Sequence, residues 1–478
     1  MKQTAYDLVV VGTGFASTFF LKQYLQKAPA TATVLVLERG HFYPRAERVK
    51  ELAGGESAFS KLNPQPPDTF VNNRPGKDWH FSVGFGGSSN CWYGCTPRFM
   101  PSDFKMKSLY GVGNDWPLQY EDIDPYYEQV EELMAISGPA ETPYPRKKAY
   151  VQPPHLFTDV DKILHKKYGK LYINQPTARA RVPMNGRNPC CASAVCSVCP
   201  VDAKFNIENS NFRVYEDARV ELLYGAQVYD LELVQDRVRK VSFRQNDKDQ
   251  HVVGEVVALG ANALFNANIL LNSGDKNPFT GRGLGEQLGL QAHVYLDNLQ
   301  SLGGSTWVNA NGYMLYDGEH RKDSAACLIE SSNAPFFRPE SGKWRHMASF
   351  RMIFEDLPDH ENFVAVTDDV MKPQIHFKGP SDYTLRGIER MKQQLPEVLS
   401  CLPVEKIIYE DPYPSEAHIL GTTRMSTSAK TGVVDKNLVH HQYRNLFVLG
   451  SGSFTTYTPA NPTLTLSALS ISAADHSF

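Results

Sequence analysis

No apolar run in this sequence reaches the roughly 18 residues that a membrane-crossing helix needs. Neither sign of charge dominates: 49 Lys and Arg stand against 52 Asp and Glu, a net charge of −3. The electrostatic footprint of a nucleic-acid binder is therefore missing. Only five residues precede the first apolar run. A cleavable signal needs a basic and then an apolar stretch, so none is expected, and the expected compartment is the cytoplasm unless a partner carries the chain out. Cysteine is sparse, with eight residues at 91, 95, 190, 191, 196, 199, 327 and 401. Four of them fall within ten residues, which speaks for a metal or redox feature rather than a disulfide framework. What remains is 478 residues, 42% apolar and 21% charged, the composition of a soluble globular enzyme of two or three domains.

The chain is organised around its first strand, turn and helix. Tyr6–Val11 is a short apolar run, β-branched towards its end, as a buried parallel strand should be. Gly12-Thr13-Gly14-Phe15-Ala16-Ser17 then opens a helical stretch to about Lys27, and a second apolar run, Thr33–Leu37, ends at Glu38. Gly12 permits the tight turn and Gly14 lets the backbone approach a pyrophosphate. The helix start offers free N–H groups to that anion. Glu38 stands where a carboxylate can hold both hydroxyls of an adenosine ribose. The third glycine of the usual fingerprint is replaced by Ser17.

Further along, 41–80 reads as loop with a short helix near 46–52. Phe81–Trp92 packs Gly84, Gly86, Gly87, Ser88, Ser89, Asn90 and Cys91 before Trp92, which suits a backbone laid against a flat ligand. An amphipathic helix is expected over 120–136, with Tyr127, Val130, Leu133 and Met134 in the core. Residues 137–189 read as a surface excursion, 202–215 as helix, and 218–223, 227–234 and 238–243 as a β-meander. Glu255–Ala261, with Gly260 at its turn, and the helix over 262–272 form a second strand–glycine–helix unit. The texture changes over 275–415: alternating stretches at 346–354, 362–367 and 374–378 predict antiparallel strands, crossed by a helix over 382–400. Asn445–Gly450 is another buried strand, and a closing helix follows over 461–476.

The C-terminal segment holds His418 in Ala417–Met425, then Gly432-Val433-Val434-Asp435, then Thr458-Pro459-Ala460-Asn461-Pro462-Thr463-Leu464-Thr465. With the N-terminal fingerprint and Gly86-Gly87-Ser88-Ser89, the chain resembles the glucose–methanol–choline (GMC) flavoprotein oxidoreductases, nearest the branch of pyranose oxidase and bacterial FAD-dependent sugar dehydrogenases. The resemblance implies an α/β fold: a Rossmann-like FAD-binding domain with an inserted α+β substrate domain built on an antiparallel sheet. The FAD domain would comprise 1–110, 195–275 and 410–478, with 111–194 and 276–409 forming the substrate domain and surface excursion. It implies oxidation of a sugar, glycoside or other alcohol by hydride transfer to flavin.

The family's catalytic pair is a histidine and a second histidine or asparagine. His418 matches the first and Asn461 the second. A neutral imidazole is suited to take a hydroxyl proton near pH 7, whereas an amide orients the hydroxyl without titrating. Asn461 has a second reading as the N-cap of the closing helix, and His440 and His441 are alternatives for the base. The resemblance places the backbone of Pro462 and Thr463 near the flavin ring edge and Gly450–Ser453 over the pyrophosphate. Ser451 stands where the family often has an aspartate. Val228 matches the strand that offers its backbone to the adenine; its other reading is plain strand core. Members of the branch carry histidine immediately before the loop tryptophan, but here it is Cys91, so a histidyl–flavin bond is excluded and non-covalent FAD is expected, with a cysteinyl bond as the alternative.

Cys190, Cys191 and Cys196 resemble the ligands of a [3Fe-4S] cluster in bacterial FAD-dependent sugar dehydrogenases. Cys199 stands one residue short of the fourth cysteine there. Soft thiolates suit such clusters, and a disulfide, a structural zinc or free thiols are the other readings. With a cluster, electrons would pass to a cytochrome or quinone, and a signal-bearing small subunit would export the chain to the periplasm. Without one, oxygen or a diffusible quinone would serve. The alternatives to a dehydrogenase are a peroxide-producing sugar or glycoside oxidase and a non-catalytic electron-relay flavoprotein.

Overall fold

The computed structural model describes residues 1, 3–53, 69–210, 213–333, 336–413 and 415–478. The expected loop over 54–68 and residues 211–212 of the expected helix over 202–215 lie outside them.

Two sheets carry the fold. In the first, β1 (Ala5–Val11) lies between β2 (Val34–Leu37) and β8 (Lys248–Leu259), parallel to both. Its apolar run is buried because both faces are covered: Leu8, Val9 and Val10 have no exposed surface. Each such burial contributes about 1.5–3 kcal/mol, enough to make this strand the anchor of the first core. The parallel edge is β5 (Val220–Leu223), paired with β2. β6 (Gln227–Val234) and β7 (Arg237–Gln245) continue antiparallel from β8, and β16 (Leu446–Val448) pairs parallel with β8. The expected first meander strand, 218–223, is thus a parallel edge strand, and β8 supplies the third strand of the meander. The helices Phe15–Lys27 and Thr463–Ser477 pack against one another beside this sheet.

The second sheet is antiparallel throughout, in the order β15 (Val404–Tyr409), β9 (Leu288–Leu296), β12 (Met347–Phe354), β11 (Cys327–Ser332), β10 (Val308–Gly312), β4 (Tyr172–Asn174). Its outer face carries Leu290, Ala292, Ile329, Phe350, Met352 and Phe354. They pack on Ile388, Met391 and Leu395 of the helix Asp382–Val398. The other face looks towards the first domain, where Leu328 and Ile353 join its core.

Three expectations change. Residues 137–189 are not a mere surface excursion: they supply the capped helix Asp159–Tyr168 and β4, and 172–180 are buried. Their polar side chains are internally paired, as in Tyr172 Oη–H to Asp161 Oδ1 at 2.6 Å. The described part of 202–215 is irregular over 202–210 and helical only in the short turn Val214–Glu216 at its end. Asn206 and Asn209 cap one another's backbone N–H groups, a side-chain bonding pattern that competes with helix. The stretches 362–367 and 374–378 do form strands, β13 (Phe363–Ala365) and β14 (Gln374–His376). They build a separate small sheet with β3 (Val71–Asn72), cushioned by the helix Asn262–Asn272.

Candidate active site

The turn after β1 is held by Glu38. Its Oε2 accepts from the Thr13 N–H (3.0 Å) and hydroxyl (2.6 Å), and its Oε1 accepts from the Gly40 N–H (2.8 Å). Gly12 has φ +88°, and a Cβ there would stand 2.7 Å from the Gly260 carbonyl oxygen. The two strand–glycine–helix turns are therefore packed back to back. This explains Ser17: a Cβ on Gly260 would sit 2.0 Å from Ser17 Oγ, so the serine occupies space that the missing side chain of Gly260 leaves free. Ser17 Oγ–H donates to the Val11 carbonyl (3.2 Å). Gly260 is thus a packing partner of the cradle.

Around Gly14 the space is open. A Cβ on Gly14 would meet nothing within 4 Å, and one on Gly450 (φ +96°) would meet only Ala16 at 3.8 Å. The helix Phe15–Lys27 begins there with no side-chain cap and no acidic residue in its first turn. An open floor, free N–H groups and an absence of competing carboxylates fit the pyrophosphate of FAD. Gly86 and Gly87 close over this cradle. The Gly86 N–H donates to Thr13 Oγ1 (3.0 Å), and a Cβ on Gly87 would lie 3.3 Å from Gly14 Cα. Ala226 and Gly225, just before Val228, donate to the carbonyls of Glu38 and Gly40. Val228 itself is buried in the core, paired with Phe243 of β7.

Along the next wall, Ser88, Ser89 and Asn90 form a single helical turn. The Ile207 N–H donates to Ser89 Oγ (3.2 Å), and buried Asn90 Oδ1 has no hydrogen-bond partner among the described residues. Cys91 Sγ faces the Ser88 carbonyl (3.6 Å). Trp92 is fixed by its indole N–H on the Phe205 carbonyl (2.8 Å) and edge-on to Phe15. Ser451 Oγ–H donates to the Ile419 carbonyl (2.7 Å), which ties the Gly450 turn to the residue after His418.

The C-terminal pair is assembled by a residue that sequence reasoning missed, Gln287. Its Nε2 donates to the carbonyls of Thr458 (2.7 Å) and Ala460 (2.9 Å), and its Oε1 lies 2.7 Å from His418 Nδ1. Because the amide nitrogen is committed to two carbonyls, the amide oxygen must accept, so His418 carries its proton on Nδ1. Nε2 then presents a lone pair, and it has no partner among the described residues. The backbone N–H of His418 is held by Glu286 Oε1 (2.9 Å), which also accepts from Ser415 Oγ (2.8 Å); Lys77 pairs with the same carboxylate. Burial, with a smaller push from nearby Arg351, drives the His418 pKa down to about 3. The imidazole is neutral at pH 7.

Asn461 is buried, and its Oδ1 has no hydrogen-bond partner among the described residues. The cap position of the helix Thr463–Ser477 is Pro462, without a side-chain cap, so Asn461 does not act as its N-cap. The first-turn N–H groups beyond Pro462 and Thr463 stay free of side-chain partners. The alternatives to His418 are otherwise engaged. His440 is fully buried between Asp275 (3.3 Å from Nε2) and the N–H groups of Gln442 and Tyr443, both on Nδ1 (3.2 Å). His441 Nε2 lies on Ser426 Oγ (3.1 Å).

The cysteine loop does not form the expected cluster site. Among the described residues no disulfide joins any of the eight cysteines, and no three His, Cys, Asp or Glu side chains converge as metal ligands. Cys190 Sγ points to the Ser305 carbonyl (3.0 Å), Cys196 Sγ accepts from Arg179 (2.8 Å), and Cys199 Sγ accepts from the Ala203 N–H (3.2 Å); Cys191 is exposed. The thiols are turned to separate partners, and this donor set does not fit a cluster as arranged. The loop nevertheless touches the flavin-side wall: buried Lys204 donates to the carbonyls of Trp92 (2.6 Å) and Ser197 (2.7 Å).

Residues 385–470, which contain His418, Gly450, Ser451, Asn461, Pro462 and Thr463, match the family described as GMC oxidoreductase. The chain is 25% identical to the fructose dehydrogenase large subunit of Gluconobacter japonicus, over 98% of this chain and 97% of that one. It is 23% identical to the 2-methyl-1,2-propanediol dehydrogenase of Mycolicibacterium austroafricanum, over 82% and 80%. Its fold superposes on pyridoxine 4-oxidase from Mesorbium loti with a TM-score of 0.67, at 17% identity and 99% of each chain. The segment that brings a neutral imidazole and a carboxamide together is thus a GMC oxidoreductase C-terminal domain, and over nearly its whole length the chain is similar to oxidoreductases that carry it.

Proposed function

We propose that this enzyme oxidises a hydroxyl group of a sugar, glycoside or related alcohol and works as a dehydrogenase. FAD bound between the Gly12–Gly14 cradle and the Asn461–Thr463 turn supplies the hydride acceptor. His418 Nε2 takes the hydroxyl proton, so the substrate loses H⁺ to the imidazole and H⁻ from the same carbinol carbon, leaving a carbonyl. Asn461 holds the substrate oxygen in line by hydrogen bonding. Gln287 keeps the accepting lone pair on Nε2. The single observation that carries this reading is the Gln287 bridge (2.7 Å to His418, 2.9 Å to the Ala460 carbonyl), because it fixes the tautomer a base needs and joins both members of the pair.

The electrons then leave to a cytochrome or quinone, directly or through a small partner subunit. The name of the fructose dehydrogenase large subunit supports a multi-subunit arrangement. No step is routed through Cys190, Cys191, Cys196 or Cys199; stoichiometric iron and acid-labile sulfide in anaerobically prepared protein would restore that route. The non-covalent attachment of FAD beside Cys91 is part of the proposal, and a denatured-protein mass carrying added FAD would overturn it. The test of the function is anaerobic bleaching of the bound flavin by a panel of sugars, glycosides and polyols. Bleaching that His418→Ala abolishes supports it. A flavin that no alcohol reduces, or that is reduced equally by the variant, sinks it in favour of an electron-relay role. Stoichiometric oxygen consumption and peroxide would make it an oxidase.

A further inference from the structure

The six-stranded sheet has two unlike faces. The outer one is apolar against the helix Asp382–Val398, whereas the inner one carries a polar row. In register, Asn311 of β10 stands opposite Glu330 of β11, Glu330 opposite Arg351 of β12, and Arg351 opposite Gln291 of β9. Directly opposed residues on antiparallel strands share a face, so these four side chains cross the sheet in a line. Asn311, Glu330 and Gln291 are 0%, 4% and 2% exposed.

The row reaches the active site at two places. Arg351 makes a two-pronged pair with Glu416 (2.7 and 2.9 Å), two residues before His418. Glu330 interacts with the Asn461 carboxamide. Its polar groups are only partly satisfied. Arg351 commits its Nε and Nη2 to Glu416, while Glu330 Oε1 has a long bond from Gln175 (3.3 Å). Buried Gln291 Nε2 and Asn461 Oδ1 have no partner among the described residues. A buried polar atom without a partner costs roughly 1–3 kcal/mol, a cost that a packing role leaves unrelieved and a hydroxylated ligand removes.

We infer that Glu330 and Gln291 are specificity-determining residues that bind the secondary hydroxyls of a polyhydroxylated substrate, while His418 and Asn461 act on the hydroxyl being oxidised. This inference rests on the proposed function and names its substrate class. A hydroxyl both donates and accepts: one donates to Glu330 and another accepts from Gln291 Nε2. An alcohol with a single hydroxyl leaves both groups unpaired in a dry site, which is how a polar pocket rejects an analogue that lacks its hydroxyls.

The experiment compares the holoenzyme with Glu330→Gln and Gln291→Leu. The probes are D-fructose, D-glucose and sorbitol against cyclohexanol, with FAD content and thermal unfolding measured for each protein. The wild type favours its best polyol over cyclohexanol at least 100-fold in kcat/KM. Each variant loses at least tenfold of that preference, through a KM raised for the polyol and not for cyclohexanol. Equal loss on polyol and cyclohexanol, unchanged discrimination, or loss of FAD from both variants overturns the inference and makes the row a structural staple. Equilibrium dialysis of labelled polyol separates the two readings. Polyol that binds wild type without bleaching, and binds the variants at least tenfold more weakly, upholds the row while sinking the proposed oxidation; polyol that does not bind sinks both.

Discussion

Around Gly12 the backbone makes the contacts: a turn at φ +88°, amides donated to Glu38, and two glycine turns packed against each other. Across the inner face of the second sheet it is side chains from separate strands, Asn311, Glu330, Arg351 and Gln291, that are brought into line by register. The two regions border the same site on different physical terms. A backbone cradle needs particular residue types at fixed spacing, so few sequences build it and its pattern is visible. A cross-strand row needs only one suitable residue per strand, and nothing in any single strand announces the others.

The largest expected effect falls where the two regions meet. His418→Ala lowers the rate of flavin reduction roughly 10³-fold, within the range for removing a general base, with FAD content unchanged; stopped-flow bleaching measures it. Gln287→Leu comes next, with a loss of roughly 10²-fold in kcat and little change in KM, because the imidazole loses the acceptor that keeps Nε2 unprotonated. Gln287→Glu sharpens the point: a carboxylate beside Nδ1 favours the imidazolium, raises the His418 pKa from about 3, and moves the acid limb of kcat/KM to higher pH. An unmoved limb would break the assignment of His418 as base.

Within the cradle, two glycines are expected to part company. Gly12→Ala meets the Gly260 carbonyl and an unfavourable φ, at about 1–3 kcal/mol for the strain, so both melting temperature and FAD content fall. Gly14→Ala has room for its methyl in the protein alone, so melting of the apoprotein is unchanged while FAD affinity falls. Equal behaviour of the two variants would mean the open space at Gly14 holds no cofactor.

The smallest effect is on acid stability. Buried His155, held by Ser305 Oγ (3.1 Å) and the Arg179 carbonyl (2.9 Å), has its pKa pushed down to about 4, chiefly by burial. An unfolded histidine takes a proton near pH 6.5, so the unfolded state binds more protons as pH falls, and stability drops from about 6.5 down through 4. His155→Gln flattens that part of the curve of melting temperature against pH by removing one such group. A variant curve parallel to wild type would remove His155 from the account.

The readable parts of the fold were those with a periodic or glycine-marked backbone: β1, β2 and Glu38, the helix Asn262–Asn272, β12, and the helix Asp382–Val398. Misread parts share a different cause. β5 has the apolar run of a meander strand, and only its pairing with β2 makes it a parallel edge. Residues 172–180 look polar and exposed in sequence but are buried because their polar groups pair with one another. Gln287 has no local signal at all, since its partners lie at 418, 458 and 460. Glu330 did leave one: a carboxylate directly after the run Cys327-Leu328-Ile329 belongs in a buried strand only for a reason.

Sequence alone determined the chemistry that hangs on local geometry: the glycine turn after β1, the acid at the end of β2, and a histidine and asparagine within the segment that the family shares. The tertiary structure decided the protonated nitrogen of His418, turned the cysteines at 190, 196 and 199 to separate partners, and aligned Asn311, Glu330, Arg351 and Gln291 across one face of the second sheet. The reason is one of range. A turn is specified by residues within a few positions of each other, whereas a tautomer or a cross-strand row depends on atoms that meet only when distant segments are packed together.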